Sequence, residues 1–400
     1  MANTILTPTI VTRAALAILH NNLRFTRTIN RQYDDSFTLG GAKGGQELKI
    51  RLPNQYTTST GAALSAQDTT ESSVTLTVST QRHVDTNFTT AELTQSIQDF
   101  SERILEPAMS VLASNTDYDA MLMYNEVYNL VGTPGTTPST ARALLAAHTK
   151  MNYNAAPLVP RFCALGPDAN EALVDGLKGL FNPSGKIGEN YEEGMLAKNQ
   201  LGYRELFMTQ SVRNHTNGLQ AGTPLINGAS QTGSSLITDG WTAATTLTKG
   251  TVFTLAGVYG VNPETKASTG ALQQFVVTAD ATADGSGNAT ISISPSIVTS
   301  GATQTVSASP ADNAAITVAS GSASTAYAQN LAYHRDAFAI AFADLEMPRN
   351  VHFGAREVMD GISMRVVRDY RIGTDDIPCR IDILYGYKCV RPQLACRITG

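Results

Sequence analysis

Few residues in this chain have the types and spacing that chemistry needs. His334-Arg335-Asp336 has the composition of a kinase catalytic loop. No Asn follows at the required spacing, no Asp-Phe-Gly occurs, and no glycine-rich strand loop precedes it. A surface triplet on a helix is the reading that remains. Asp280, Asp284 and Gly285 open like a calcium loop, but the twelfth position is Ile291, where a bidentate Glu would be required. A strand–turn–strand hairpin accounts for the same residues without a metal. Four glycines surround Lys43, yet no Gly-Lys-Ser/Thr follows the P-loop spacing. They let the chain bend.

His20, His83, His148, His215, His334 and His352 do not pair with one another, with Cys or with carboxylates at a ligand spacing. Each reads as a solvated or core histidine. Cys163, Cys379, Cys389 and Cys396 form no Cys-x-x-Cys pair, so free and mostly buried thiols are expected. There is no Gly-x-Ser-x-Gly elbow and no paired-carboxylate motif. The sequence thus nominates no catalytic, cofactor-binding or metal-ligating residue. A triad can assemble from distant residues, so what the sequence shows here is the lack of a positive enzyme signal; no cofactor is expected.

Composition points the same way. Hydrophobic residues make up 42% of the 400 and charged residues only 16%, against about 25% in an ordinary soluble chain. Few charges with ordinary hydrophobicity suit a surface largely covered by neighbours, and equally a β-rich, Thr/Ser/Gly-rich surface protein. A net charge of -5 does not suggest a dedicated nucleic-acid binder. The N-terminus lacks a basic start, is interrupted by Pro8 and carries Arg13, which makes a poor signal peptide. No uncharged apolar run of about 18 residues reads as a membrane span. A soluble protein, made in the cytosol and needing no membrane, is expected.

The length implies two or three compact units. Thr7-Pro8 opens a first helix, with Ala15, Leu16, Leu19 and Leu23 on one face, suited to lie on another surface rather than to form a core. Residues 36–86 read as a long β-hairpin. Leu48, Ile50 and Leu52 alternate on one limb, and Val74, Leu76 and Val78 on the other. The polar, aperiodic stretch Asn54–Ser73 between them is a mobile tip. Thr89 and Glu92 form a capping box, followed by a stripe through Leu93, Ile97, Phe100 and Ile104. Pro107 restarts a helix that the spacing carries to Val131, roughly 37 Å long, and a Gly/Pro/Thr linker ends it.

Residues 139–212 mix helices with short strands at 161–166 and 201–212. Residues 221–330 hold only seven charged residues, and short strands separated by Gly, Asp, Asn and Pro turns. That is the pattern of an inserted β-barrel or sandwich. A further helix is expected over 329–345, with Leu331, Phe338 and Phe342 on one side, and strands close the chain.

The order of these pieces resembles the Hong Kong-97 phage capsid fold: amphipathic arm, long hairpin, spine helix, α+β unit, closing strands. Local strings strengthen the likeness. ILEPAMSVLASNTDYDAML (104–122) resembles the start of the spine helix. APLVPRFCALGPDANEALV (156–174) and GMLAKNQLGYRELFMTQSV (194–212) resemble the axial domain. The closer likeness is to the coat proteins of P-twenty-two-type short-tailed phages, which carry an extra β-barrel. LTKGTVFTLAGV (247–258) resembles the opening of that barrel, and CRIDILYGYKCVRPQLACRI (379–398) the final strands.

The resemblance implies an α+β Hong Kong-97-like fold in five parts. These are an N-terminal arm (1–35), an extended hairpin loop (36–86), a peripheral domain (87–138 and 331–400), an axial domain (139–220) and an inserted β-barrel domain (221–330). It implies a major capsid protein that self-assembles, as pentamers and hexamers, into an icosahedral shell around a phage double-stranded DNA genome. It also implies a scaffolding protein and a portal protein as partners, and localisation in the virion. The family's arm presents carboxylates to scaffold; here Arg13 stands there without an acid, so charge-based docking at that helix is not expected. The tip from Asn54 to Ser73 holds no Lys, so no covalent cross-link is expected there. Arg349, Arg356, Arg365, Arg368, Arg371, Arg380, Lys388, Arg391 and Arg397, with six nearby acids, suit ion pairs between subunits and, secondarily, non-specific contact with packaged DNA. An encapsulin-like compartment shell and a β-rich surface or adhesin protein are the alternatives.

Overall fold

The computed structural model describes residues 8–31, 47–64, 66–69, 71–89, 105–177, 201–349 and 351–400. The stripe from Glu92 to Ile104 and the glycines around Lys43 lie outside the described residues. The chain divides into two compact units, each assembled from distant segments.

The first unit comprises Met1–Ile50, Val74–Met121 and Phe338–Lys388. Helix α1 (Pro8–Asn22) buries Thr12, Ala15, Leu16 and Leu19, the spacing of one helical face. That face packs on helix α3 (Glu106–Ala120) and on the strands Phe353–Met359 and Ile362–Arg368. The first helix is therefore core of its own unit, contrary to the expectation of an arm suited only to another surface. Between α1 and α3 in sequence lies the short helix α2 (Phe25–Thr28). The sheet behind them runs Phe338–Ala343, Asp376–Cys389, Ile362–Arg368, Phe353–Met359. Asp376–Cys389 is long enough to pair also with Thr80–Thr89 through ten residue pairs. Met359 and Ile362 pair across a two-residue turn, with Asp360 at φ +51 and Gly361 at φ +75, the Asp-Gly signature of a tight hairpin.

The second unit comprises Arg51–Ser73, Leu122–Ala337 and Cys389–Gly400. A five-stranded sheet, in the order Leu130–Val131, Ala395–Ile398, Asn330–His334, Arg161–Leu165, Glu205–Met208, carries helices α4 (Ala141–Tyr153) and α5 (Pro167–Leu177). The C-terminal stretch is thus shared between the two units. A six-stranded antiparallel sheet follows the order Ile316–Val318, Val252–Val261, Ser268–Val277, Ala289–Ile297, Gly233–Trp241, Gly222–Ile226. Its two edges meet: Ile226 donates to Ala314 O (3.0 Å), Asn313 donates to Ile226 O (2.9 Å), and Leu225 bridges Ala315. The sheet therefore nearly closes into a barrel around Leu236, Phe253, Phe275, Ile291 and Val306. Gly222 and Gly240 sit where two strands cross so closely that a Cβ on either would lie 2.4 Å from a carbonyl oxygen.

Two helices expected from spacing take other forms. The helix begun at Glu106 ends at Ala120 and tightens to a 3₁₀ turn over Met121–Glu126. Ala120, Met121, Met123 and Tyr124 are all buried, so no polar face is left to define a helical stripe. Leu130–Val131 becomes an edge strand. The helix expected over 329–345 is two strands, Asn330–His334 and Phe338–Ala343, joined by a short 3₁₀ turn. Both strands are buried on both faces, and a strand of that kind loses its alternation whether it is central, as Asn330–His334 is, or terminal in its sheet, as Phe338–Ala343 is.

Candidate assembly surfaces

A loop hangs from the ladder of Glu47–Arg51 and Ser73–Thr77. Beyond the rung from Leu52 N–H to Ser72 O (2.8 Å) its limbs run extended and mostly exposed. Tyr56 is 55% exposed and Leu64 95%. One side chain ties the limbs together. The Gln67 amide accepts from the Thr57 N–H (2.9 Å) and hydroxyl (3.1 Å), and donates to the Thr57 carbonyl (2.5 Å). The part of the tip between these residues is thus clasped, where the sequence suggested free mobility. In the second unit Leu158 and Val159 are also well exposed, as is Ile372 in the first.

The first unit locks its frame with carboxylates. Asp382, fully buried, accepts from Arg365 (2.6 and 3.0 Å), Arg380 (3.1 Å) and Gln81 (2.8 Å). Arg365 and Asp382 are direct cross-strand partners. Asp119 receives Arg82 through two nitrogens (2.9 and 3.0 Å) and the Tyr385 hydroxyl (2.8 Å). Asp117 of α3 caps α2 from outside, taking the N–H groups of Arg24, Phe25 and Thr26 and the Thr26 hydroxyl. Burial pushes the Asp117 carboxyl up, against those four donors. At the Asp-Gly turn, Asp360 takes His20 of α1 (3.0 Å) and Arg31.

Among the described residues, the second unit buries two arginines that meet no acid. Arg161, with no exposed surface, donates to the carbonyls of Pro157 (2.7 Å), Ala156 (2.6 Å) and His148 (3.4 Å). Arg397, equally buried, donates to Gly250 O (2.7 Å) and lies over the Tyr124 ring at 5.2 Å. Burial lowers its pKa to about 10. Gly250, at φ +97, lets the backbone pass Asn125 and His215; a Cβ would meet Asn125 Oδ1 at 2.3 Å. His215 lies 3.3 Å from the Tyr124 hydroxyl and 3.5 Å from that of Thr251. Burial first, then the Arg397 charge, lower its pKa to about 4.

The residues first weighed for chemistry are scattered. His83 meets Asp85 (2.9 Å), His334 is buried beside the Val159 carbonyl (3.4 Å), and His352 is exposed. Among the described residues no group of three His, Cys, Asp or Glu could hold a metal ion. The four cysteines are free and buried. Asp284 folds its turn by accepting from Ser286 and Asn288 N–H (2.8 and 2.9 Å). His334-Arg335-Asp336 ends a strand and enters the 3₁₀ turn, rather than riding on a helix. A cleft of about 350 Å³ opens at the start of α5. Asn330 in its lining already serves Gly166 N–H and Ile398 O. Among the described residues no helix is long and apolar enough to cross a membrane.

Several arginines expected to bridge subunits are engaged within the chain. Arg365 and Arg380 hold Asp382, Arg371 holds Asp376 (2.7 Å), Arg356 reaches Asp344 (3.5 Å), and Arg368 lies over Phe353. Strand register places Asp382 opposite Arg365, and a β-bridge sets Asp376 opposite Arg371. The sequence missed the Gln67 clasp and the burial of Arg161 and Arg397. Register could have revealed Arg365–Asp382, but no local signal marks a buried arginine.

Together these features define a Hong Kong-97-like capsid fold with a barrel-like sheet added. The chain matches the P22 coat protein (gene protein 5) family over residues 43–400, and belongs to it. It is similar to a solved chain from Mycobacterium phage Che8, at 14% identity and TM-score 0.50, covering 94% of this chain and 90% of that one. It is also similar to the capsid structure of cyanophage P-SCSP1u, at 11% identity and TM-score 0.45, covering 93% and 88%. The CUS-3 coat protein I-domain is 26% identical over 25% of this chain and 98% of its own, with TM-score 0.20. None of the curated proteins matches the chain. The protein is a major capsid protein: it self-assembles into the shell, serves as structure rather than catalyst, and resides in the virion.

Proposed function

We propose that copies of this chain gather as pentamers and hexamers into an icosahedral shell around double-stranded DNA, with the loop between Asn54 and Ser73 clamping a neighbouring subunit. The observation that carries this is the loop itself: two exposed limbs with Tyr56 and Leu64 in water and no core of their own. Ordering such a segment costs about 1–2 kcal/mol per residue in backbone entropy, which a neighbour's contacts would offset. The five-part organisation described from the sequence would give the axial domain the capsomer centres, and the barrel a stabilising and neighbour-contacting role. Scaffolding and portal proteins would direct assembly in the host cytoplasm. Arg13, 3.1 Å from Glu357, supports the view that α1 does not dock scaffold through carboxylates. The net charge of -5 supports weak rather than tight contact with the genome.

Deleting Thr57–Thr70 tests the reading. The monomer's thermal unfolding stays within a degree or two, while closed shells, seen by negative-stain microscopy, disappear. Normal shells of normal stability from the deletion variant would remove the clamp.

A further inference from the structure

We propose that Gln67 is the positioning residue of the loop: its side chain sets the loop's shape in the free subunit, so that a second copy meets a surface already formed. The inference rests on the reading of this loop as an intersubunit clamp.

Thr57 lies on one limb of the loop and Gln67 on the other, without a strand ladder beside either. In an antiparallel ladder, every second residue has both its N–H and its C=O satisfied by the facing strand. Here one side chain does both. Gln67 Oε1 takes the Thr57 N–H and hydroxyl, and Gln67 Nε2 gives to the Thr57 carbonyl. Among side chains, a primary amide carries the acceptor and donor that this needs. The clasp joins residues ten positions apart, a closure shorter than the loop as a whole, so the closed segment has fewer shapes to sample.

What the clasp encloses matters. Leu64, 95% exposed, sits within the closed segment, and Tyr56, 55% exposed, adjoins Thr57. Two large apolar side chains are thus held at fixed places on a loop that would otherwise wander. A coat subunit binds copies of itself, and apparent affinity falls by the fraction of subunits whose loop is in the competent shape. Holding that shape in advance is a gain in assembly without a gain in monomer stability.

The test uses the full chain with Gln67→Ala and Gln67→Glu. Amide hydrogen exchange is read at Thr57 in the monomer, and the critical concentration for shell formation by light scattering. In the parent, the Thr57 amide is protected. Gln67→Ala removes that protection and raises the critical concentration about tenfold, as expected when most loops leave the competent shape. Its thermal unfolding does not move. Gln67→Glu keeps the acceptor, loses the donor and sets a carboxylate against the Thr57 carbonyl, so it falls between the two. Free exchange at Thr57 in the parent, or a Gln67→Glu variant that matches the parent, overturns the two-sided clasp. If Gln67→Ala assembles at the parental concentration while the Thr57–Thr70 deletion makes no shells, the clamp stands and the positioning role falls. Normal assembly by both variants removes both.

Discussion

In the first unit Asp382 sits between two arginines, while in the second Arg161 and Arg397, equally buried, rest on carbonyls and a ring and, among the described residues, on no carboxylate. The chemistry behind the two choices differs. A buried acid flanked by guanidinium groups is bound by charge, and removal of one member strands the others. A guanidinium on carbonyl dipoles and a ring face is held by hydrogen bonds and cation–π attraction, and pulls the neighbouring His215 titration downward. The first unit is a frame of ion pairs tied across strands. The second is a set of polar anchors within an apolar body. The two should respond to different perturbations, and the chain carries a reporter for each. Trp241, its one tryptophan, is buried in the barrel of the second unit, and Cys379 is buried in the first.

The largest effect should come from Asp382→Ala, which leaves Arg365 and Arg380 facing each other. A loss of about 3–5 kcal/mol is expected, read as faster thiol labelling of Cys379 in denaturant with the Trp241 transition in place. Equal movement of both reporters would mean that the two units melt as one, and the contrast would dissolve.

Acid should act on the second unit first. His215 has a folded pKa of about 4, below the ordinary value near 6.5. Its contribution is therefore whole above pH 6.5 and is lost as pH falls towards 4, amounting to about 3 kcal/mol by linkage. Arg397 and Tyr124 face the ring, and Asn217 supports its charged form. In the first unit the Asp376 carboxyl is held low by the Thr374 hydroxyl first, then by Asn87 and Arg371. Its contribution is whole above the ordinary carboxylate value near 3.9 and fades only below it. Trp241 emission should thus change at higher pH than Cys379 labelling. A His215→Gln variant with an unchanged Trp241 acid midpoint would count against this order.

The smallest effect belongs to the exposed pair Arg13–Glu357, where the Arg13 side chain is 70% exposed. Arg13→Ala should cost under about 0.5 kcal/mol, seen as an unmoved midpoint in urea. A larger loss would show that α1 is held by charge as well as by Leu16 and Leu19.

The strands of the barrel were readable through the Gly, Asp, Asn and Pro turns that separate them, and Ala289–Ile297 adds alternating buried and exposed residues over its first half. Not every strand without a wet face was readable. Arg161–Leu165 and Asn330–His334 are both buried at every position, yet the first reads as a strand while the leucine and alanine of the second pass for a helix. The same loss of contrast hid the 3₁₀ turn after Ala120. Chemistry in the tail was visible as an excess of arginine but not as pairing, because Arg365 and Asp382 are joined by strand register and not by proximity in sequence. The Gln67 clasp joins residues ten positions apart in aperiodic chain, where no pattern exists to point at it.

The closure of the barrel has a consequence for how such a protein survives its own abundance. A coat subunit in a shell is surrounded by copies of itself. An open sheet edge is a template on which identical edges stack. In the added sheet, Gly222–Ile226 and the residues leading into Ile316–Val318 occupy each other's hydrogen bonds. That module therefore offers copies of itself few unsatisfied backbone groups. It can crowd against its neighbours in a shell without polymerising through its strands, which leaves geometry, rather than backbone stickiness, to decide where the next subunit goes.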